Sequence, residues 1–77
     1  MKMNEIFELT LSKVLERKIE NINPEAKPID IEGWDSLTHI YLIMELESKL
    51  NIKFTTAQIQ NWNCVGDIIS DLISLSK

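Results

Sequence analysis

Residues 31–50 read IEGWDSLTHIYLIMELESKL, and this stretch decides the fold. Its first residues mark a turn around Gly33, and neither Gly nor Pro follows as far as Leu50. Asp35 or Ser36 supplies the helix cap, because a short polar side chain can accept a hydrogen bond from a backbone N–H of the first helical turn. The pattern therefore predicts a long helix from about Ser36 to Leu50.

The predicted helix carries two apolar stripes. At about 100° per residue, the angle implied by 3.6 residues per turn, one stripe contains Leu42, Ile43, Leu46 and Leu50. Nearly opposite lies a second stripe of Leu37, Ile40, Tyr41 and Met44. A helix that is apolar on two sides is usually buried all round. Since so small a chain has few other elements to surround it, we expect the second stripe to be partly exposed as a docking patch.

The flanking sequence predicts further helices and one long loop. Apolar residues at three- and four-residue spacing predict a first helix from Met3 to about Lys18. Pro24, Pro28 and Gly33 interrupt that spacing and predict a loop. Three isoleucines are expected to anchor this loop to the core, namely Ile22, Ile29 and Ile31.

Two shorter helices are predicted after residue 50. Residues 54–62 have room only for a short helix, capped by Thr55 or Thr56. A last helix starts at Asn63 or Cys64, and its apolar residues are Val65, Ile68, Ile69, Leu72 and Ile73. The prediction is an all-α fold, a small bundle of three main helices plus one short helix in a single domain, residues 1–77.

Composition narrows the range of functions. The chain has 77 residues, a formal net charge of -4 and no basic stripe, which argues against binding to nucleic acid and favours cationic partner surfaces. Cys64 is the single cysteine, so no internal disulfide can form, and one His with one Cys does not make a metal site. No apolar run approaches the roughly 18 residues of a membrane helix. We expect a cytoplasmic protein that does not enter membranes.

Ser36 lies where the first-turn N–H groups of the predicted helix are unsatisfied, so a phosphate ester on its hydroxyl would be electrostatically favoured. Gly33-Trp34-Asp35-Ser36-Leu37, followed by an apolar and acidic helix in a short acidic chain, resembles the acyl carrier protein family around its phosphopantetheine-bearing serine. The resemblance continues to the final helix through Phe54, Ile59, Trp62 and Val65.

The resemblance implies a carrier without catalytic activity of its own. Ser36 would bear a covalent 4'-phosphopantetheine arm, added by a phosphopantetheinyl transferase, and the arm would carry acyl groups as thioesters. Its other partners would be an acyl- or aminoacyl-loading ligase, a synthase or an acyltransferase. The carrier itself would be a monomer. The residues that the resemblance and the second apolar stripe together assign to transferase and partner recognition are Asp35, Leu37, Ile40, Tyr41, Met44, Glu45 and Glu47.

The resemblance also implies an acyl pocket, with Leu46, Ile59, Trp62 and Ile68 as its candidate lining. The indole of Trp62 would fill much of such a pocket, which favours a short, polar or aminoacyl cargo; the alternative is that Trp62 simply completes a small core. The predicted docking helix departs from the family's usual pattern of several outward acidic residues, because Thr38, Tyr41, Ser48 and Lys49 stand in their place. We therefore expect docking to depend more on apolar contact than on charge.

Three functional classes remain open. The first is a carrier for a fatty-acid-like, polyketide-like or other dedicated pathway, and the second is an aminoacyl or peptidyl carrier. The third is a non-carrier helical adaptor, in which Ser36 is only a helix cap. Asp35, Ser36 and His39 also suggest a hydrolase, but the sequence indicates neither a partner to orient the histidine nor an oxyanion site, so this interpretation is disfavoured.

Overall fold

The computed structural model describes residues 2–76, which form four α-helices and one short 3₁₀ turn. Helix α1 spans Met3–Leu15, α2 Ser36–Leu50, α3 Thr56–Gln60 and α4 Val65–Leu75, and the 3₁₀ turn spans Pro28–Asp30. No strand occurs within residues 2–76, which confirms the all-α prediction and the prediction of three main helices plus one short one. The predicted domain also includes Met1 and Lys77, which lie outside the described residues.

Helix α2 has the predicted bounds, whereas α1 ends earlier than the predicted Lys18. Glu16 follows α1 in the left-handed conformation, with φ of 56°. The side chain of Ser12 then accepts a hydrogen bond from the backbone N–H of Ile19 at 2.9 Å. This contact turns the chain back, so that Ile19 packs against the core and the helix cannot continue.

The core lies between α1, α2 and α4. Its fully or almost fully buried apolar residues are Phe7, Leu11, Trp34, Leu42, Leu46, Phe54, Val65, Ile68 and Leu72. Burial of one such side chain contributes about 1.5–3 kcal/mol relative to an exposed position. Of the first stripe of α2, Leu42 and Leu46 are fully buried, and Ile43 and Leu50 are half-buried against the core. The prediction that this stripe faces the core is confirmed.

The long loop between α1 and α2 is fixed to the start of α4. The backbone N–H of Val65 donates to Ala26 O at 2.9 Å, and that of Gly66 donates to Pro24 O at 2.7 Å. A Cβ on Gly66 would stand 3.1 Å from Pro24 O, a tight contact that a larger residue could make only if the loop moved away slightly, so glycine favours this close approach. The loop is therefore pinned at residues 24–26.

Of the three isoleucines predicted to anchor the loop, two do so. Ile22 and Ile31 pack against the core. The prediction for Ile29 is wrong, because this side chain is 87% exposed. Residues Pro28–Asp30 form the 3₁₀ turn, in which the N–H groups of Asp30 and Ile31 bond back to Lys27 O and Pro28 O. The turn places Ile29 at its outer side.

Candidate functional site

Ser36 is the first residue of α2 and is exposed. The capping role that the sequence left open between two residues belongs to Asp35, whose Oδ1 accepts a hydrogen bond from the backbone N–H of Thr38 at 2.8 Å. That hydrogen bond is the main reason why the pKa of Asp35 is lowered. Among the described residues, none of the side-chain hydrogen bonds of this turn uses the Ser36 hydroxyl. The hydroxyl is thus available for modification.

The turn before Ser36 depends on Gly33, which adopts φ of 91°, a conformation that L side chains rarely adopt. The hydroxyl of Thr38 donates to Gly33 O at 3.1 Å, so the first turn of α2 closes on the loop. Next along the chain, Trp34 is buried in the core. The position of Ser36 is therefore set by a helix cap and by a buried indole two residues earlier.

Four side chains beside Ser36 form a continuous stack, here called the aromatic ladder, which consists of Trp34, His39, Trp62 and Phe54. Successive ring centroids are 5.9 Å, 5.9 Å and 4.9 Å apart. The last two contacts are edge-on, an arrangement that favours aromatic pairing. The ladder ties the α1–α2 loop to α2 and to the segment after α3.

Both indole N–H groups of the aromatic ladder have partners. Trp34 Nε1 donates to His39 Nδ1 at 3.1 Å, and Trp62 Nε1 donates to Asp71 Oδ2 at 2.8 Å. Because an indole nitrogen is only a donor, His39 Nδ1 must be the acceptor, and the neutral ring then carries its proton on Nε2. Burial lowers the pKa of His39, which favours this neutral form. The imidazole is thus oriented by an indole rather than by the carboxylate that a hydrolytic triad uses.

An open groove of about 520 Å³ lies next to Ser36. Its lining residues are Pro28, Ile29, Trp34, Asp35, Ser36, His39, Ile40 and Trp62. Most of them are apolar or aromatic, and Ser36 itself is part of the wall. We call this feature the Ser36 groove.

The sequence did not predict that Pro28, Ile29, Trp34 and His39 belong together at such a groove. The available signal is Ile29 next to Pro28 in the long loop, where Pro28 interrupts the helical spacing and Ile29 is predicted to be a core anchor.

The four candidate acyl-pocket residues belong to the hydrophobic core or pack against it. Leu46 and Ile68 have no exposed area, and Ile59 and Trp62 are half-buried. Of the four, Trp62 alone lines the Ser36 groove. Its ring packs against Phe54 at the inner end of the aromatic ladder.

The second stripe of α2 is exposed, as predicted. Leu37, Ile40, Tyr41 and Met44 are each between 50% and 58% exposed. They make up the stripe for which we expect a docking role, here called the docking patch.

The two glutamates predicted to serve partner recognition have contacts within the chain. Glu45 Oε2 lies 3.0 Å from Lys13 Nζ of α1, and Glu47 Oε2 accepts a hydrogen bond from the backbone N–H of Phe54 at 2.9 Å. Glu47 thus holds the segment between α2 and α3.

Within residues 2–76, no group of three or more His, Cys, Asp or Glu side chains is placed to hold a metal ion. Over the same residues, no helix has the length and apolar character needed to cross a membrane.

Comparisons with known proteins agree on one family. Residues 7–72 match the family described as "Phosphopantetheine attachment site". An acyl carrier protein of Thermotoga maritima is 41% identical over 49 residues, which are 64% of this chain and 60% of that protein. An acyl carrier protein of Helicobacter pylori is 32% identical over 69 residues, 90% of this chain and 88% of that one.

The fold is similar to a solved structure of a related protein. The solution structure of the holo acyl carrier protein from Geobacter metallireducens superposes with a TM-score of 0.88 and is 28% identical in sequence. The superposition covers 97% of this chain and 86% of that chain.

Proposed function

Because the chain belongs to the phosphopantetheine attachment family, we propose that it is an acyl carrier protein with its arm on the Ser36 hydroxyl. The observation that carries the assignment is the placement of Ser36, exposed at the first residue of α2 and inside the matched range. A 4'-phosphopantetheine arm would supply a terminal thiol, which holds acyl groups as thioesters. The residues present fit the arm, because the hydroxyl is accessible and a groove begins beside it.

The helix start supplies what the attachment needs from this chain. The charged Asp35 caps α2 and leaves the Ser36 hydroxyl without a capping role. Exposed backbone and side chains around Asp35, Ser36 and Leu37 offer a transferase a defined turn to recognise. The carrier performs no catalysis; it raises the local concentration of its cargo at the active site against which it docks.

The docking patch is the surface that partner enzymes meet. Its four residues are apolar or aromatic and about half exposed, which is unusual for so large a share of one helix face. Met44 can repack against different partners, because a thioether side chain is flexible. Glu45 and Glu47 lie at the margin of this patch, where their contacts with Lys13 and Phe54 N reduce their availability. The proposed partners are the transferase and the loading ligase, synthase or acyltransferase. The carrier, as a monomer, would bind them one after another.

The cargo that the geometry favours is short or polar, which keeps an aminoacyl or peptidyl carrier as the second candidate. The specific observation is the aromatic ladder, in which Trp62 packs edge-on against both His39 of α2 and Phe54, two residues before α3. A long acyl chain would have to displace a ring that is also hydrogen-bonded to Asp71.

Intact-mass measurement tests the attachment site. The purified protein is incubated with coenzyme A and a broad-specificity phosphopantetheinyl transferase. We expect the mass to rise by one phosphopantetheine in the wild type and in Ser48→Ala, a control at another exposed serine of α2, and not in Ser36→Ala. A wild-type protein that gains no mass, or a gain that persists in Ser36→Ala, contradicts the proposal.

Salt dependence tests the docking patch. Since apolar contact is screened little by ions, the rate of loading by a given partner should fall only weakly with added salt. Ile40→Ser should slow loading, whereas Ile73→Ser, at an exposed isoleucine of α4, should not. A steep loss of rate with salt and equal rates for the two variants would show that charge, not the patch, governs docking.

A further inference from the structure

The Ser36 groove contains one polar group whose role the proposed function does not include. The N–H groups of Trp34 and Trp62 are already donated to His39 Nδ1 and Asp71 Oδ2. Pro28, Ile29 and Ile40 have no polar side-chain atom, and Asp35 when charged is only an acceptor. Among the residues that line the groove, His39 Nε2–H is therefore the side-chain N–H that has no partner within the described residues.

The orientation of His39 is fixed by its neighbours. It follows Ser36 by three residues in α2, so both side chains lie on the same face of the helix. The bond from Trp34 Nε1 holds Nδ1 toward the core, and Trp62 packs on the ring at a 79° angle. Nε2 is on the other side of the imidazole from Nδ1, and both His39 and Ser36 line the groove.

Electrostatics determine to which side an anion on Ser36 turns. The carboxylate of Asp35 is adjacent, stays charged because its pKa is lowered, and already accepts the N–H of Thr38. A phosphodiester attached to Ser36 Oγ is repelled by this carboxylate. Among the side chains that line the groove, the neutral donor available is His39 Nε2–H.

The interior offers the arm no comparable place. Leu46 and Ile68 are fully buried. The half-buried Trp62 packs edge-on against Phe54, which is itself a core residue. The outer walls of the groove are instead open and apolar, and include the 87% exposed Ile29. Ile29 stands in a 3₁₀ turn of a loop that is hydrogen-bonded to the start of α4 at Pro24 and Ala26, so its exposed side chain is a preformed contact surface.

We propose that the phosphopantetheine arm rests in the Ser36 groove, with His39 Nε2–H donating to a phosphodiester oxygen. Pro28, Ile29, Ile40 and Trp62 contact the apolar part of the arm. The inference rests on the proposed function, because it requires the arm to be on Ser36. It adds that His39 is a positioning residue for the arm. It also implies that cargo on the arm starts outside the hydrophobic core.

The first test is a titration of His39 by ¹⁵N NMR in the apo and holo proteins. The chain has one histidine, so the signal needs no assignment by mutation. We expect a ring protonated at Nε2 in the apo protein at neutral pH. The measured pKa should be higher in the holo protein, because the phosphodiester stabilises the imidazolium form.

The two indoles that pack on the ring carry no charge, and they are the same in both forms. The charged groups nearby are Asp35 on the groove wall and Asp71 behind Trp62, which are also common to both forms. An equal pKa in apo and holo protein overturns the role of His39.

The second test locates the arm by nuclear Overhauser contacts in the holo protein. The methyl groups of the arm should contact Ile29, Ile40 and the Trp62 indole. Ile29→Ser should weaken these contacts, whereas Ile73→Ser, which lines a different cavity, should leave them unchanged. Contacts with Leu46 or Ile68, or no contacts at all, overturn the proposal.

The mass measurement keeps the two proposals apart. A protein that does not gain phosphopantetheine fails at the attachment step. If the protein gains phosphopantetheine but shows equal His39 pKa values in the apo and holo forms and no contacts between the arm and the groove, the carrier function stands and the proposed resting site is wrong.

Discussion

Glu47 offers a direct test of whether an acid on α2 serves partners or the fold. Its carboxylate accepts the backbone N–H of Phe54 at 2.9 Å, and Phe54 is 6% exposed. A hydrogen bond to a charged group contributes about 1.5–3 kcal/mol, and an orphaned buried N–H costs about 1–3 kcal/mol. We therefore expect Glu47→Ala to lower the free energy of unfolding by about 2 kcal/mol.

The matched control is Glu45→Ala, two residues away on the same helix. Glu45 forms an ion pair with Lys13 at 3.0 Å, but the two side chains are 43% and 72% exposed. Exposed ion pairs contribute about 0–1 kcal/mol, so this variant should lose little stability. The comparison separates a surface acid from an acid that holds the chain together.

The assay is reversible thermal and urea unfolding followed by circular dichroism. For a domain of 60–100 residues, 1 kcal/mol corresponds to a shift of about 4–8 °C, so Glu47→Ala should lower Tm by about 8–16 °C. Glu47→Gln keeps an acceptor and should lose about half as much. If Glu47→Ala and Glu45→Ala are equally stable, Glu47 does not hold the α2–α3 segment, and its proposed structural role is wrong.

Two other substitutions test the turn and the aromatic ladder. Gly33→Ala should lower the free energy of unfolding by about 1–2 kcal/mol, because φ of 91° is strained for any residue with a Cβ; an unchanged urea midpoint would exclude this strain. His39 makes stability depend on pH. Burial lowers its pKa in the folded protein below 6.5, so the unfolded chain binds more protons. The free energy of unfolding therefore falls as the pH drops from 6.5 through the folded pKa. His39→Asn should reduce this slope in denaturation curves measured at several pH values, and a slope equal to the wild type would assign the effect to another group.

The local features of the chain were predicted well, because they depend on nearest neighbours. Helix α2 begins and ends where its cap and apolar spacing indicate. The short α3 begins after Thr55, whose side chain bonds Gln58 N at 3.1 Å while Gln58 Oε1 accepts Thr55 N. The end of α1 was missed because it depends on Ser12 meeting Ile19, seven residues apart.

The predictions for the candidate site divide in the same way. That Ser36 stands at a helix start follows from its neighbours, and the exposure of the second stripe follows from chain length. The sequence predicts a buried Ile29, because an isoleucine in a loop usually packs against a core. The 3₁₀ turn instead exposes this side chain to solvent. The sequence assigns Glu47 to partner recognition and does not reveal its bond to Phe54 N, because that bond joins positions on either side of a turn.

The sequence by itself determined the four helices, the capped start of α2 and the serine that begins it, since hydrophobic period and capping act over a few residues. Tertiary structure alone decided that Trp34, His39 and Trp62 stack beside Ser36, that the α1–α2 loop forms the opposite wall of a groove, and which ring nitrogen of His39 carries the proton. These features arise from contacts between residues far apart in the chain, whose meeting depends on how the helices pack around the shared core.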